Sequence, residues 1–361
     1  MAEAAPTPLS AWATAATLPT PDGRDVADEP LWAASSVPVG AAVDPDLLER
    51  DEAYAATLLR EFNAITPENA LKWGPIHPSP HRWHLDPADR LVEFAEAHRL
   101  RIHGHTLVWH RQLPDWLTPT PSRRAVVQAL ASHVETLVGR YAGRIAAWDV
   151  VNEAIADDGR LRNTCFLRAC GGDYIADAFR LAHAADPCAR LYYNDYGAEG
   201  RGRKSDAVYA LLRRLLDDGV PVHGVGLEMH LRGTRPPEPA AIASSVARFV
   251  ALGLEVRISE MDVRIRSVRR GDPLALQRRV YHDAIAACVA IPGFAGVTFW
   301  GVNDTHSWIH REFGKDAPLL FNGDYAPKPA YFGARDALAA GRKATAPSGP
   351  SVQPEEKPDQ K

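Results

Sequence analysis

Apolar positions along the chain follow two alternating rhythms. Short, nearly unbroken apolar runs occupy 37–43, 62–66, 100–109, 145–154, 190–196, 222–230, 254–263 and 295–303. Runs of that length between turn residues read as buried strands. Longer amphipathic stretches follow them in turn, at 46–60, 87–99, 122–141, 173–185, 204–218, 238–252, 273–290 and 328–340. In the third, Val126, Leu130, Val134, Leu137 and Val138 recur at the spacing of one helix face. Asp-Pro and Pro-rich joints precede several stretches, where proline suits a first helical turn. Strand–helix units repeated without antiparallel interruption predict an α/β fold, a single closed (β/α)8 TIM barrel. The competing layout is an open doubly wound sheet. It calls for a GxGxxG turn after an early strand, and the chain has GAAVDP there.

The same pattern sets the boundaries. Residues 1–30 and 344–361 are Pro-rich and poor in large apolar groups, and are expected to be mobile tails around one domain at 31–343. No stretch approaches the roughly 18 unbroken apolar residues of a spanning helix. A net charge of −4, from 41 basic and 45 acidic residues, argues against a nonspecific grip on nucleic acid or an anionic membrane. The first 30 residues lack the basic start and apolar core of a secretory leader, which leaves the compartment open. Cys165, Cys170, Cys188 and Cys288 show neither CxxC nor zinc-ribbon spacing. Cys165 and Cys170 are near enough in sequence to pair, but the fold does not depend on it.

In a barrel the reacting groups sit at the C-terminal strand ends. The second end gives Glu68, Asn69 and Lys72, and the third His103, His105, Trp109 and His110. The fourth gives Asp149, Asn152 and Glu153, and the fifth Asn194, Asp195 and Tyr196. The last three give Glu228 and His230, then Glu260 and Asp262, then Trp300, Asn303 and Trp308. Phosphate recognition calls for cations, and here Lys72 stands nearly alone. Indoles beside amides and carboxylates suit a neutral polyhydroxylated ligand. A glutamate at a strand end is ordinarily a rim charge or half of an ion pair. Glu153 and Glu260, however, each end an apolar run, on the fourth and seventh strands across one mouth. Glycosidic cleavage needs that pair: one carboxyl with raised pKa as acid, one ionised as nucleophile.

Seven motifs stand in order: TPENALKW (66–73), HGHTLVWH (103–110), WDVVNEA (148–154), NDY (194–196), GVGLEMH (224–230), ISEMDV (258–263) and FWGVND…SW (299–308). Through them the chain resembles glycoside hydrolase family 10, the endo-β-1,4-xylanase family, over about residues 37–341. The resemblance implies a retaining enzyme that cleaves internal bonds of xylan or xylo-oligosaccharides as a monomer, with no cofactor and no metal. It implies Glu153 as acid/base and Glu260 as nucleophile, their carboxyls about 5–5.5 Å apart. Asn152 resembles the donor to the sugar 2-hydroxyl, His230 the imidazole bonded to the nucleophile, and Asp262 the carboxylate that orients that imidazole. Glu68, Asn69 and Lys72 resemble the grip on the nonreducing-side sugars. His105, Trp109 and Tyr196 resemble wall residues, and Trp300 and Trp308 the closing indoles.

Two positions depart from the family's pattern: Glu228 stands where many members have Gln, and Gly197 where Asn usually follows NDY. Three carboxyls then share a partly dry mouth, and the shared proton is expected to favour Glu153. On that expectation Glu228→Gln lowers the basic limb of the pH profile by about half a unit to one unit. Three readings compete with a xylanase. One is a relative acting on another β-linked glycoside. A second is a metal-dependent hydrolase built on the His103/His105 pair with His230. The third is a noncatalytic sugar-binding barrel, which requires a missing acid or nucleophile.

Overall fold

Eight parallel strands run Val39–Val43, Ala64–Pro67, Arg101–Val108, Ala147–Asn152, Arg190–Tyr196, Gly224–Glu228, Glu255–Arg264 and Phe294–Phe299. Each pairs with the next in sequence, and the first pairs with the last, so the sheet closes into the expected barrel. The chain is described here from a computed structural model, at residues 29–117 and 122–345. Most of each expected tail, 1–28 and 346–361, lies outside the described residues. The final helix, Pro329–Thr345, crosses the expected boundary at 344. Its Arg342 pairs with Glu29 at 2.6 Å, which ties both ends of the described chain together.

Strand bounds fall within two residues of the apolar runs at most ends, because strands buried on both faces read as continuous apolar sequence. The main helical difference lies in 46–60, which is two helices, Pro45–Arg50 and Glu52–Glu61. Asp51 divides them: its backbone is extended and its side chain accepts from the Tyr54 N–H, as an N-cap does. The sixth strand also breaks at Met229 and resumes as His230–Arg232, which pairs His230 with Asp262 on the longer seventh strand. All four cysteines are free thiols, so Cys165 and Cys170 do not pair. Among the described residues no helix is long and apolar enough to cross a membrane.

Buried polar groups run up the barrel axis. Arg257 hydrogen-bonds His103, His103 Nε2 meets Asp149 Oδ1 at 2.7 Å, and Asp149 Oδ2 meets His105 Nδ1 at 2.9 Å. The two histidines of the HxH pair thus face one buried carboxylate from opposite sides. They do not converge on an open metal position. Gly226 makes room for the next layer, since a Cβ there would collide with Asn194 Oδ1.

Candidate active site

A cleft of about 870 Å³ opens at the C-terminal end of the strands. Glu68, Asn69, Lys72, His105, Trp109, Asn152, Glu153, Tyr196, Glu228, His230, Glu260, Trp300 and Trp308 all line it. Asp262 sits fully buried behind His230. The residues read from the strand ends therefore come together at one place.

Glu153 follows the last residue of the fourth strand in a left-handed conformation, φ +53°. Non-glycine residues adopt it only when neighbours fix them there. The neighbours here are Asn194, whose carbonyl accepts the Glu153 N–H at 2.8 Å, and Arg162, whose Nε donates to the Glu153 carbonyl at 2.9 Å. The turn aims the carboxyl into the cleft, 3.8 Å from His110 Nδ1 and 4.0 Å from Arg162. Burial raises the Glu153 pKa, and Asp195 and Glu260 add to that, against hydrogen bonding from Trp109 and the charge of Arg162.

Glu260 is held in the opposite state. Asn194 Nδ2 donates to its Oε1 at 2.8 Å, and His230 Nε2 lies 3.2 Å from Oε2. Burial alone would raise its pKa, but His105, His230 and Lys72 outweigh it and leave the carboxyl below its ordinary value. His230 in turn has Nδ1 2.8 Å from Asp262 Oδ2, which also accepts from Trp308 Nε1 at 2.8 Å. Burial would lower the imidazole, but Asp262 and then Glu260 raise it to about 10. His230 is therefore a cation clamped between two carboxylates, which favours an ionised Glu260.

Glu228 accepts from the same Asn194 Nδ2 at 3.0 Å. The Asn152 amide is satisfied when its oxygen accepts from Trp109 Nε1 at 3.2 Å and its nitrogen donates to Glu228 at 3.1 Å. Burial pushes the Glu228 pKa well above the ordinary range, with Glu260 and Glu153 adding repulsion. Its side chain is 3% exposed against 12% for Glu153. Burial therefore favours a proton on Glu228 as well as on Glu153, while Glu260 stays ionised. The consequence is that Glu228→Gln replaces a neutral group by a neutral group. The basic limb of kcat/KM should move by less than about 0.3 unit, in a pH–rate profile with a poor leaving group. A fall of about half a unit or more would instead place a charge on Glu228.

On the side of the second strand, Lys72 Nζ is 3.3 Å from Asn69 Oδ1 and 4.7 Å from the Trp109 ring centre. Glu68 accepts from Asn69 at 3.2 Å and from Arg311 at 3.3 Å. Tyr196 donates to Asp157 at 2.6 Å. The strand ends did not forewarn of how cationic the rim is: Arg111, Arg162, Arg232, Arg264 and Arg311 also line the cleft. Arg232 and Arg264 are the last residues of their strands, Arg111 and Arg162 lie in the loops beyond, and Arg311 lies in the short helix Ile309–Phe313, so the sequence had to be read past the catalytic turn to find them. Asn194 was visible at its strand end, but its bridging of Glu228 and Glu260 was not.

A barrel whose mouth sets buried carboxyls of opposed protonation under three indoles belongs to the glycoside hydrolase class of barrel enzymes. The family model for glycosyl hydrolase family 10 matches residues 29–337, and the chain belongs to that family. It is 39% identical over 297 residues to endo-1,4-beta-xylanase B of Thermotoga neapolitana, covering 80% of this chain and 84% of that one. It is 36% identical to exoglucanase XynX of Acetivibrio thermocellus, covering 83% of this chain but only 28% of that longer protein. Xylanase 10B of Thermotoga petrophila, solved in complex with xylobiose, superposes with a TM-score of 0.84 at 37% identity, over 88% of this chain and 98% of that one.

Proposed function

We propose that the protein is a retaining endo-β-1,4-xylanase that hydrolyses internal bonds of xylan or xylo-oligosaccharides by double displacement. The observation that carries this reading is the pair Glu153 and Glu260 in one indole-lined cleft, the pKa of the first raised by burial and that of the second lowered by His105, His230 and Lys72. Glu260 attacks the anomeric carbon while Glu153 gives its proton to the leaving oxygen, forming a glycosyl-enzyme. Glu153, now ionised, then takes a proton from the water that hydrolyses that intermediate. His230 and Asn194 hold the two oxygens of Glu260, so attack needs little reorganisation. Asn152, beside Glu153, is the donor to the 2-hydroxyl of the cleaved sugar, and Trp109, Trp300 and Trp308 are its stacking walls. No step calls for a metal.

Both limbs of the pH profile follow. Glu260 must be ionised, so the acidic limb lies below the ordinary carboxylate range. Glu153 must be protonated, so the basic limb lies above it. Digestion of xylohexaose beside cellohexaose tests the substrate assignment. Short xylo-oligosaccharides from internal cleavage are expected, unchanged by EDTA. Faster turnover of cellohexaose would assign the cleft to β-glucan instead.

A further inference from the structure

Of the five arginines lining the cleft, three face a carboxylate: Arg311 meets Glu68 at 3.3 Å, Arg111 meets Glu312 at 3.8 Å, and Arg162 meets Glu153 at 4.0 Å. Arg232 and Arg264 do not. Among the described residues no carboxylate oxygen lies within 4.0 Å of either guanidinium. Yet the two are placed side by side, in register on the paired ends of the sixth and seventh strands. The Gly233 N–H donates to the Arg264 carbonyl at 2.9 Å and locks that register. Asp262 and Asp316 offset the Arg264 charge from a distance without pairing with it, and two like charges held side by side cost stability that an arriving anion relieves. The Arg264 Nε is shut off from solvent without a hydrogen-bond partner.

The nearby acids make their hydrogen bonds elsewhere. Asp262 Oδ2 takes hydrogen bonds from His230 and Trp308. Asp316 Oδ1 accepts the backbone N–H groups of Ile265, Arg266 and Ala317. The Arg264 guanidinium lies 4.0 Å over the ring of Phe313, which stands edge-on to Trp308 and is exposed. An aromatic platform beside two free guanidinium forks is a fit for a sugar that carries a carboxylate: the ring packs on the aromatic group and the acid takes the fork.

We propose that Arg232 and Arg264 form a subsite for a uronic acid side group on the xylan chain, so that the enzyme prefers acid-decorated substrate. This rests on the xylan reading above. The test compares kcat/KM on three xylo-oligosaccharides of equal backbone length: undecorated, uronic-acid-decorated, and decorated with the same sugar after its carboxyl has been reduced to an alcohol. The wild type should favour the acid over its reduced form by about tenfold, the worth of one charge-assisted contact at a partly exposed site. The Arg232→Ala/Arg264→Ala double variant should erase that preference and keep undecorated turnover within about twofold. Arg264→Lys with Arg232 intact should retain part of it. Equal rates on acid and alcohol in the wild type would overturn the subsite alone, as would a loss shared equally by all three substrates. No turnover of any of the three would overturn the xylan reading, and the subsite with it.

Discussion

Replacing Glu260 with alanine is expected to abolish turnover on every substrate, by about 10⁴–10⁶-fold in kcat. Without its carboxylate no glycosyl-enzyme forms, whatever the leaving group. The loss should be just as large on an aryl xylobioside as on xylan, since nucleophilic attack precedes both. The substitution also removes the acceptor that Asn194 and one face of His230 use. Asp262 still holds the other face of His230. The variant should therefore fold, at a cost of about 1–3 kcal/mol for the orphaned donors. A thermal melt beside the assay separates lost chemistry from lost structure. Turnover of a dinitrophenyl xylobioside at more than about a hundredth of the wild-type rate would remove Glu260 from the nucleophile's role.

Glu153→Ala should behave differently, because its loss matters only where a proton is needed. With dinitrophenolate as leaving group, kcat/KM reports glycosylation without protonation and should fall by less than about tenfold. With xylan or a poor aryl leaving group it should fall by about 10²–10⁴-fold, the ordinary worth of a general acid. The glycosyl-enzyme should then accumulate, since no base remains to activate water. Azide needs no base, so it should raise kcat on the dinitrophenyl substrate and yield a β-glycosyl azide. Equal losses on both leaving groups, with no azide effect, would contradict the assignment.

Much of this was legible in the sequence because the barrel's physics writes itself in periodicity. Strands buried on both faces read as apolar runs, and their C-terminal residues could be taken in order. The two-residue spacing of Glu260 with Asp262 puts that pair on one strand face. The register then brings His230 to Asp262. What stayed hidden depends on three dimensions. Asp51 caps a helix in the middle of an amphipathic stretch, and only its extended backbone reveals the break. Met229 interrupts a run that looks continuous. The distribution of protons among Glu153, Glu228 and Glu260 follows from relative burial and from one shared amide, neither of which leaves a mark on spacing. The rim arginines were missed because the reading stopped at the catalytic turns: Arg232 and Arg264 lie two residues past His230 and Asp262, and the others lie beyond the ends of their strands.

The central claim is that Glu260 displaces the leaving group and water then displaces Glu260, two inversions in succession. The most direct measurement is proton NMR of xylohexaose during the first minutes of hydrolysis, before mutarotation equilibrates the new reducing ends. The β-anomer should appear first, with the α-anomer growing only at the rate of mutarotation. A first product that is the α-anomer would mean a single displacement by water, and Glu260 would then be a base and not a nucleophile.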